Sequence, residues 1–202
     1  QMCIRDSCRL VVSDARIFRE RTDRQAPNAA VHILLDMSGS MGLAGGDLAV
    51  RSSLGLVMGL EGIRGVNPAL TVFPGAACGH SQQAVCTVLK HGERLAKVSP
   101  GQVGGITSWG GTPLQEALQA GGFALAACRQ PKKALILITD GRVGCGANQK
   151  VIEELQGVGI HVLGIQIGDA DDLKNLPIES AHICSVKDLQ EALFGFAQKL
   201  LL

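Results

Sequence analysis

The 202-residue chain has no Tyr, one Trp and only 3% aromatic residues, so its core must be built from Leu, Ile, Val and Ala rather than from stacked rings. None of its seven cysteines (Cys3, Cys8, Cys78, Cys86, Cys128, Cys145 and Cys184) forms a Cys-x-x-Cys pair. That excludes a zinc ribbon and a thioredoxin-like site. The number is odd and the spacing irregular, which fits free thiols and an expected cytoplasmic location. Cys78 and Cys86, flanking a candidate hairpin connection, are the better-placed pair if a disulfide forms. Charge of neither sign is in excess: 19 Lys and Arg against 18 Asp and Glu leave a net charge of +1. With no basic stripe interleaved with aromatics, nucleic acid is not an expected partner. On reading the sequence, no apolar run is expected to reach the length needed to span a bilayer, and residues 1–9 lack a secretory hydrophobic region, so no membrane partner is expected either. A phosphate-binding G-x-x-x-x-G-K loop and a G-x-S-x-G nucleophile elbow are both missing.

What the chain does have is aliphatic residues in an alternating arrangement. Hydrophobic residues make up 46% of it, enough for one well-cored domain. Residues 1–7 (QMCIRDS) fit no pattern and are set aside as an expected cloning or assembly scar. With no Met at position 1, the chain is expected to be a fragment. Residues 1–27 are expected to form an N-terminal segment, a fragment end or partly disordered, and 28–202 the domain. Val31–Leu35 reads as a buried strand. Asp47–Leu60 follows with near-helical spacing and Asp47 as its expected N-cap. Ala69–Phe73 and Ala84–Leu89 are two further strands. The stretch between them is too short for a parallel crossover, which predicts an antiparallel edge pair. A glycine-rich loop covers Gly101–Gly111. Thr112-Pro113 opens a helix to about Arg129, with Pro in its first turn. A strand at Ala134–Thr139, a helix at Asn148–Gln156, a strand at His161–Ile167 and a helix at Val186–Leu201 complete the pattern. Strand–helix alternation with fully apolar strands predicts a doubly wound α/β fold. Its sheet should be mostly parallel, with one antiparallel edge strand and helices on both faces.

In such sheets ligands bind beyond the carboxyl ends of the strands, near a topological switch point. Asp36-Met37-Ser38-Gly39-Ser40 leaves the first strand there, and Asp140-Gly141 leaves the strand at Ala134–Thr139. Asp36, Ser38 and Ser40 occupy alternating positions of one tight loop, so a carboxylate and two hydroxyls can converge on a point. Hard oxygen donors without thiolate or imidazole suit Mg2+, with Mn2+ or Ca2+ as alternatives, rather than Zn2+.

D-M-S-G-S after an apolar strand, G-G-T-P before a helix and I-T-D-G ending a later strand together resemble the three loops of the metal-ion-dependent adhesion site of the von Willebrand factor type A (VWA) family. The resemblance covers about residues 28–200 and implies a Rossmann-like VWA fold. It also implies Asp36, Ser38 and Ser40 as first-loop ligands, Thr112 as second-loop ligand and Asp140 as third-loop carboxylate, often acting through water. The open coordination position in that family takes an Asp or Glu from a protein partner. The segment before and through the first loop, R-I-F-R-E-R-T-D-R-Q-A-P-N-A-A-V-H-I-L-L-D-M-S-G-S-M, is similar to bacterial intracellular VWA proteins of the cobaltochelatase-subunit and nitric-oxide-reductase-activation kinds, which implies an AAA-type ATPase as partner.

Other residues carry alternatives. Trp109 is either a rim contact for a partner or a loop anchor packed on the core. Arg142 either pairs with a partner carboxylate beside the metal or is simply solvated. Asp169, Asp171 and Asp172 lack an EF-hand's Gly and Glu and are expected to be solvated or capping. His32, His161, Cys128 and Cys145 are expected to be structural. The expected function is a non-catalytic, metal-dependent interaction domain. One alternative is a phosphoryl-transfer enzyme similar to haloacid dehalogenases with Asp36 as nucleophile, although Ser38 stands where that chemistry needs a second Asp. A structural assembly domain with a vestigial metal site is the other.

Overall fold

The computed structural model describes residues 27–141, 145–168 and 172–201, apart from the side chains of 145 and 197–201. Its elements run β1 (Ala29–Asp36), α1 (Gly42–Glu61), β2 (Val66–Phe73), β3 (Cys86–Leu89), the short α2 (Pro100–Gly104) and α3 (Leu114–Ala126). They continue with β4 (Lys132–Thr139), α4 (Cys145–Gly157), β5 (Ile160–Ile167), β6 (Glu179–Ile183) and α5 (Leu189–Leu201). The six strands form one sheet in the order β3-β2-β1-β4-β5-β6. All neighbours are parallel except β2 and β3. The doubly wound sheet with an antiparallel edge strand is the architecture expected from the sequence.

The strands read as unbroken apolar runs because both faces are covered. Every residue of β1 is buried. Val31, Ile33 and Leu35 enter one core with Val50, Val57 and Leu60 of α1 and Leu193 of α5. Ala30 and Leu34, on the opposite face, enter a second core with Ala117 and Leu118 of α3 and Ile152 of α4. Each such fully buried Leu or Ile contributes about 1.5–3 kcal/mol relative to exposure. Helix α3 lies unusually close to the sheet: a Cβ on Gly121 would stand 2.9 Å from Leu135 Cδ1 and 3.3 Å from Leu34 Cδ2. That contact sets how near α3 comes to β1 and β4.

Several expected boundaries move. Asp47 does not cap α1, which begins at Gly42. It lies inside the helix and pairs with Arg51 at 3.0 Å. The glycine-rich start (GLAGG) has poor helix propensity and is helical all the same, following directly on the 3-10 turn at Gly39–Met41. Pro113 is the N-cap of α3 rather than its first helical residue, and the helix ends at Ala126 rather than Arg129. Part of the predicted glycine-rich loop is α2, capped by Ser99. Its hydroxyl accepts from the Gln102 N–H at 3.2 Å while its own N–H donates to Gln102 Oε1 at 3.1 Å. Strand β6 was not predicted. It is short, half exposed and at an edge, so it carries little periodic signal. The last helix starts at Leu189, with a 3-10 turn at Val186–Asp188 before it. Cys78 and Cys86 are both free thiols.

Contrary to the expectation of no apolar run of membrane-spanning length, one segment among the described residues reaches it. Residues Gly39–Glu61 are long and apolar enough by composition to cross a membrane. In this fold they are the turn before α1 and α1 itself, whose Ala49, Val57 and Leu60 are buried against the sheet.

Candidate metal centre

The sheet order reverses between β1 and β4, whose flanking strands β2 and β5 lie to opposite sides. In such sheets the carboxyl ends of the strands on either side of that reversal, here β1 and β4, are where a ligand is bound. Asp36 is the last residue of β1, and Asp140 directly follows β4. The chain leaving β1 is tied down at once. The Met37 N–H donates to Phe73 O at 2.7 Å and the Ser38 N–H to Asp36 Oδ1 at 2.8 Å, a side-chain turn of the kind Asp favours. The Met41 N–H closes back on Ser38 O at 3.1 Å, and Gly42 takes a positive φ of 61° at the entrance to α1. This tight turn places Ser38 and Ser40 on the same side.

All five predicted site residues come together. The Ser40 hydroxyl donates to Asp140 Oδ1 at 2.8 Å, and Ser38 Oγ lies 3.0 Å from Ser40 Oγ. Because Ser40 spends its proton on Asp140, Ser38 is the donor in that pair, and both serines keep lone pairs for another electrophile. Thr112 joins from the segment before α3. A Cβ built on Gly141 would stand 3.4 Å from both Asp36 Oδ2 and Thr112 Oγ1. The absence of a side chain at 141 thus leaves a small hollow walled by oxygens. Two helices, α1 and α3, begin beside it, and helix N-termini favour negative charge nearby.

The sequence did not single out Thr139, Gln166 or Ser108. Thr139 is fully buried; its hydroxyl donates to Asp36 Oδ2 at 2.6 Å and accepts from the Gly141 N–H at 3.1 Å. Gln166, opposite Thr139 on β5, is also buried and donates from Nε2 to Gly141 O at 3.2 Å. The Ser108 hydroxyl donates to Gly42 O at 2.8 Å and so binds the second loop to the first. The T in I-T-D-G was visible as the residue before a site carboxylate. Nothing local marks Gln166, whose role comes from strand pairing.

Burial pushes the Asp36 carboxyl above its ordinary value of 3.8, against the bonds from Thr139 and Ser38 that favour its charge; the Asp140 charge nearby raises it further. Burial also raises Asp140, against its bond from Ser40. Two carboxylates with partly unmet charge beside three hydroxyl oxygens form a donor set that fits a hard divalent cation. Among the described residues no group of three or more His, Cys, Asp or Glu side chains could hold a metal, so the hydroxyls are needed to complete any coordination shell.

Trp109 stands at the edge of the site, 68% exposed, and is not packed on the core. Arg142, Asp169 and Asp171 lie outside the described residues, as does the side chain of Cys145. Asp172 begins a 3-10 turn. His161 is at the opposite end of the sheet, at the start of β5. His32 is buried in β1, with Nε2 2.9 Å from Thr71 Oγ1 and Nδ1 3.2 Å from His91 Nε2. His91 Nδ1 in turn reaches Asn67 O at 3.0 Å. That carbonyl can only accept, so neutral His91 is protonated at Nδ1 and accepts from His32 through Nε2.

Neither a protein-family model nor a curated protein matches the sequence. Solved structures do match the fold. The pilus adhesin SpaC from Lactobacillus rhamnosus GG superposes with a TM-score of 0.69 at 18% identity, over 88% of this chain and 31% of its own. Proximal thread matrix protein 1 from the mussel byssus gives 0.68 at 17% identity, over 87% of this chain and 47% of its own. The conserved hypothetical protein BatB from Bacteroides thetaiotaomicron gives 0.64 at 18% identity, over 85% of this chain and 98% of its own. The fold is of the VWA type. At these identities the likeness concerns architecture alone, and the chain spans less than half the length of the adhesin and the thread protein. Within the VWA-type fold, the carboxyl ends of β1 and β4 are where this chain gathers its oxygen donors.

Proposed function

We propose that this VWA-type domain is a divalent-metal-dependent protein-interaction module, with Mg2+ as the ion and a partner's Asp or Glu as the group captured. The observation that carries this reading is the convergence of Asp36, Ser38, Ser40, Thr112 and Asp140 around the hollow at Gly141. These residues would hold the ion. Its chemistry there would be electrostatic attraction for an anionic oxygen, since two carboxylates and three neutral hydroxyls leave its coordination shell open to a further ligand. A pilus adhesin and a thread matrix protein share the fold, which accords with a binding role. The likeness of the segment around the first loop to intracellular VWA proteins favours an AAA-type ATPase assembly as the setting, in the cytoplasm.

An enzyme using Asp36 as nucleophile is disfavoured by its surroundings. Asp36 is fully buried, which keeps a phosphoryl group from its oxygens, while each oxygen accepts one hydrogen bond and retains a lone pair for a small cation. Ser38 supplies no general acid where one would be needed.

The deciding measurement is thermal unfolding with and without Mg2+, Mn2+ or Ca2+. A cation that binds only the folded state adds about 2.7 kcal/mol at one hundred times its Kd, or roughly 5–10 °C for a domain of this size. The shift should vanish with chelator and in Asp140→Ala. A melting temperature indifferent to all three ions would overturn the metal reading. Partner capture that survives chelator and Asp36→Ala would favour a structural assembly domain.

A further inference from the structure

Two large apolar side chains stand in solvent beside the oxygen cluster: Trp109, 68% exposed, and Leu43, 80% exposed. Neither is needed to hold its own backbone. The Trp109 N–H donates to Met37 O at 2.9 Å, and Gly110 O accepts from the Gly39 N–H at 3.1 Å. The Ser108 hydroxyl holds Gly42 O, so Trp109 and Leu43 each lie one residue beyond the same 2.8 Å bond. These bonds thus present Trp109 on a fixed loop and Leu43 on the first turn of α1, both at the edge of the site. Apolar surface displayed beside a polar centre marks an interaction surface, and Trp is the side chain most often found to dominate one.

The charge on these loops narrows what would bind. Residues 38–43 (SGSMGL) and 106–112 (ITSWGGT) contain no Lys, Arg, Asp or Glu. A partner segment with several acidic residues would find no basic side chain on either loop, and in the sequence of the third loop only Arg142, next to Asp140 and Gly141. One carboxylate could reach a bound cation while its neighbours met Trp109 and Leu43. We propose that the captured segment carries a single Asp or Glu flanked by large apolar side chains, and that Trp109 and Leu43 form the apolar half of the recognition surface. This rests on the metal-dependent reading above and adds the chemistry of the residues around the captured carboxylate.

The test is selection of a random peptide library displayed on phage against the Mg2+-loaded domain, with elution by chelator. Eluted sequences should carry one acidic residue with Leu, Ile, Met, Phe or Trp within two positions. The double variant Leu43→Ser with Trp109→Ser, both at exposed positions, should retain acidic clones but bind the apolar-flanked ones about tenfold or more weakly. Acidic clones without apolar neighbours, or runs of several acids, would overturn the inference and leave the metal reading standing. So would apolar-flanked clones that bind the double variant undiminished. If chelator releases no acid-bearing clones from the wild-type domain, the metal reading fails and this inference fails with it.

Discussion

The Thr139 hydroxyl lies 2.6 Å from Asp36 Oδ2 and binds the carboxylate that ends β1 to the strand beside it. The same oxygen accepts the Gly141 N–H, so one buried hydroxyl fixes both the orientation of Asp36 and the start of the third loop. Replacing it with the similarly shaped Val leaves a buried carboxylate oxygen and a backbone N–H without their partner. Hydrogen bonds to charged groups contribute about 1.5–3 kcal/mol, and that is the expected loss for Thr139→Val in urea unfolding. Residues that orient metal ligands change affinity about 10–100-fold, so Mg2+-dependent stabilisation should need correspondingly more Mg2+. Thr139→Ser keeps the hydroxyl and should restore most of both. Equal Mg2+ midpoints for the Val and Ser variants would remove Thr139 from the site.

Gly141→Ala tests the hollow directly. The added methyl would stand 3.4 Å from Asp36 Oδ2 and Thr112 Oγ1, an ordinary contact distance, and Gly141 does not need a positive φ. The metal-free domain should therefore unfold within about 0.5 kcal/mol of wild type, as substitutions away from damaging mechanisms do. The methyl would nevertheless fill the space between the oxygens and exclude a cation from it. The expected result is a normal melting curve without Mg2+ and no shift on adding it. A full shift in this variant would mean that the ion sits elsewhere.

Much of this was legible in the sequence, for identifiable reasons. Buried parallel strands are apolar on both faces, so β1, β4 and β5 announced themselves, and the short Pro74–Gln83 connection marked the antiparallel edge. Asp36, Ser38 and Ser40 lie in one loop, where spacing alone brings them together. Thr112 and Asp140 were placed by fold position and family likeness. Contacts made across strands were not legible: Gln166 reaches Gly141 only because β5 is in register with β4. Asp47 was mistaken for a cap because its residue type suits one, while the helix start was set by the turn at Ser38–Gly42, upstream of any helical pattern. Ser99 and Gln102 show the reverse: S-P-G-Q is a capping-box pattern, but its second half falls inside the loop expected at Gly101–Gly111, whose glycines mask the short helix.

Gly121 tests whether the site depends on how closely α3 packs. A side chain there meets Leu135 and Leu34 at distances that force a neighbour to move, and inserting methylenes into a packed core costs about 1–3 kcal/mol. Gly121→Val should show that loss. It should also weaken Mg2+ stabilisation, because displacing α3 displaces Thr112 just before it. Gly157→Val is a fair control: that helical glycine has open space around its Cβ position and lies far along the chain from the site. It should destabilise only by helix propensity and leave the Mg2+ midpoint in place. A Gly121→Val domain that loses stability but keeps the Mg2+ midpoint would separate core packing from the site.

His32 should give the fold an acid sensitivity that is independent of the metal. Burial, reinforced by His91, lowers its pKa from 6.5 to about 3, and burial lowers His91 as well. Both rings are therefore neutral in the folded protein near pH 7, where His32 donates to His91 and Thr71 completes the bonding. The unfolded chain takes up the His32 proton below about pH 6.5, whereas the folded domain resists it until about pH 3. The stabilisation is thus complete above pH 6.5, declines as pH falls through that interval and levels off below about pH 3. The slope approaches about 1.4 kcal/mol per pH unit while only the unfolded state is protonated. The raised Asp36 and Asp140 work in the opposite sense, costing stability as pH rises from their ordinary value of 3.8 towards their raised folded values, so the comparison must be with a variant that retains them. His32→Leu, measured in chelator by urea unfolding between pH 7.5 and pH 4.5, supplies it. The wild-type curve should fall more steeply towards acid than the variant's, by up to that slope. Parallel curves would show that His32 is protonated as easily in the fold as out of it.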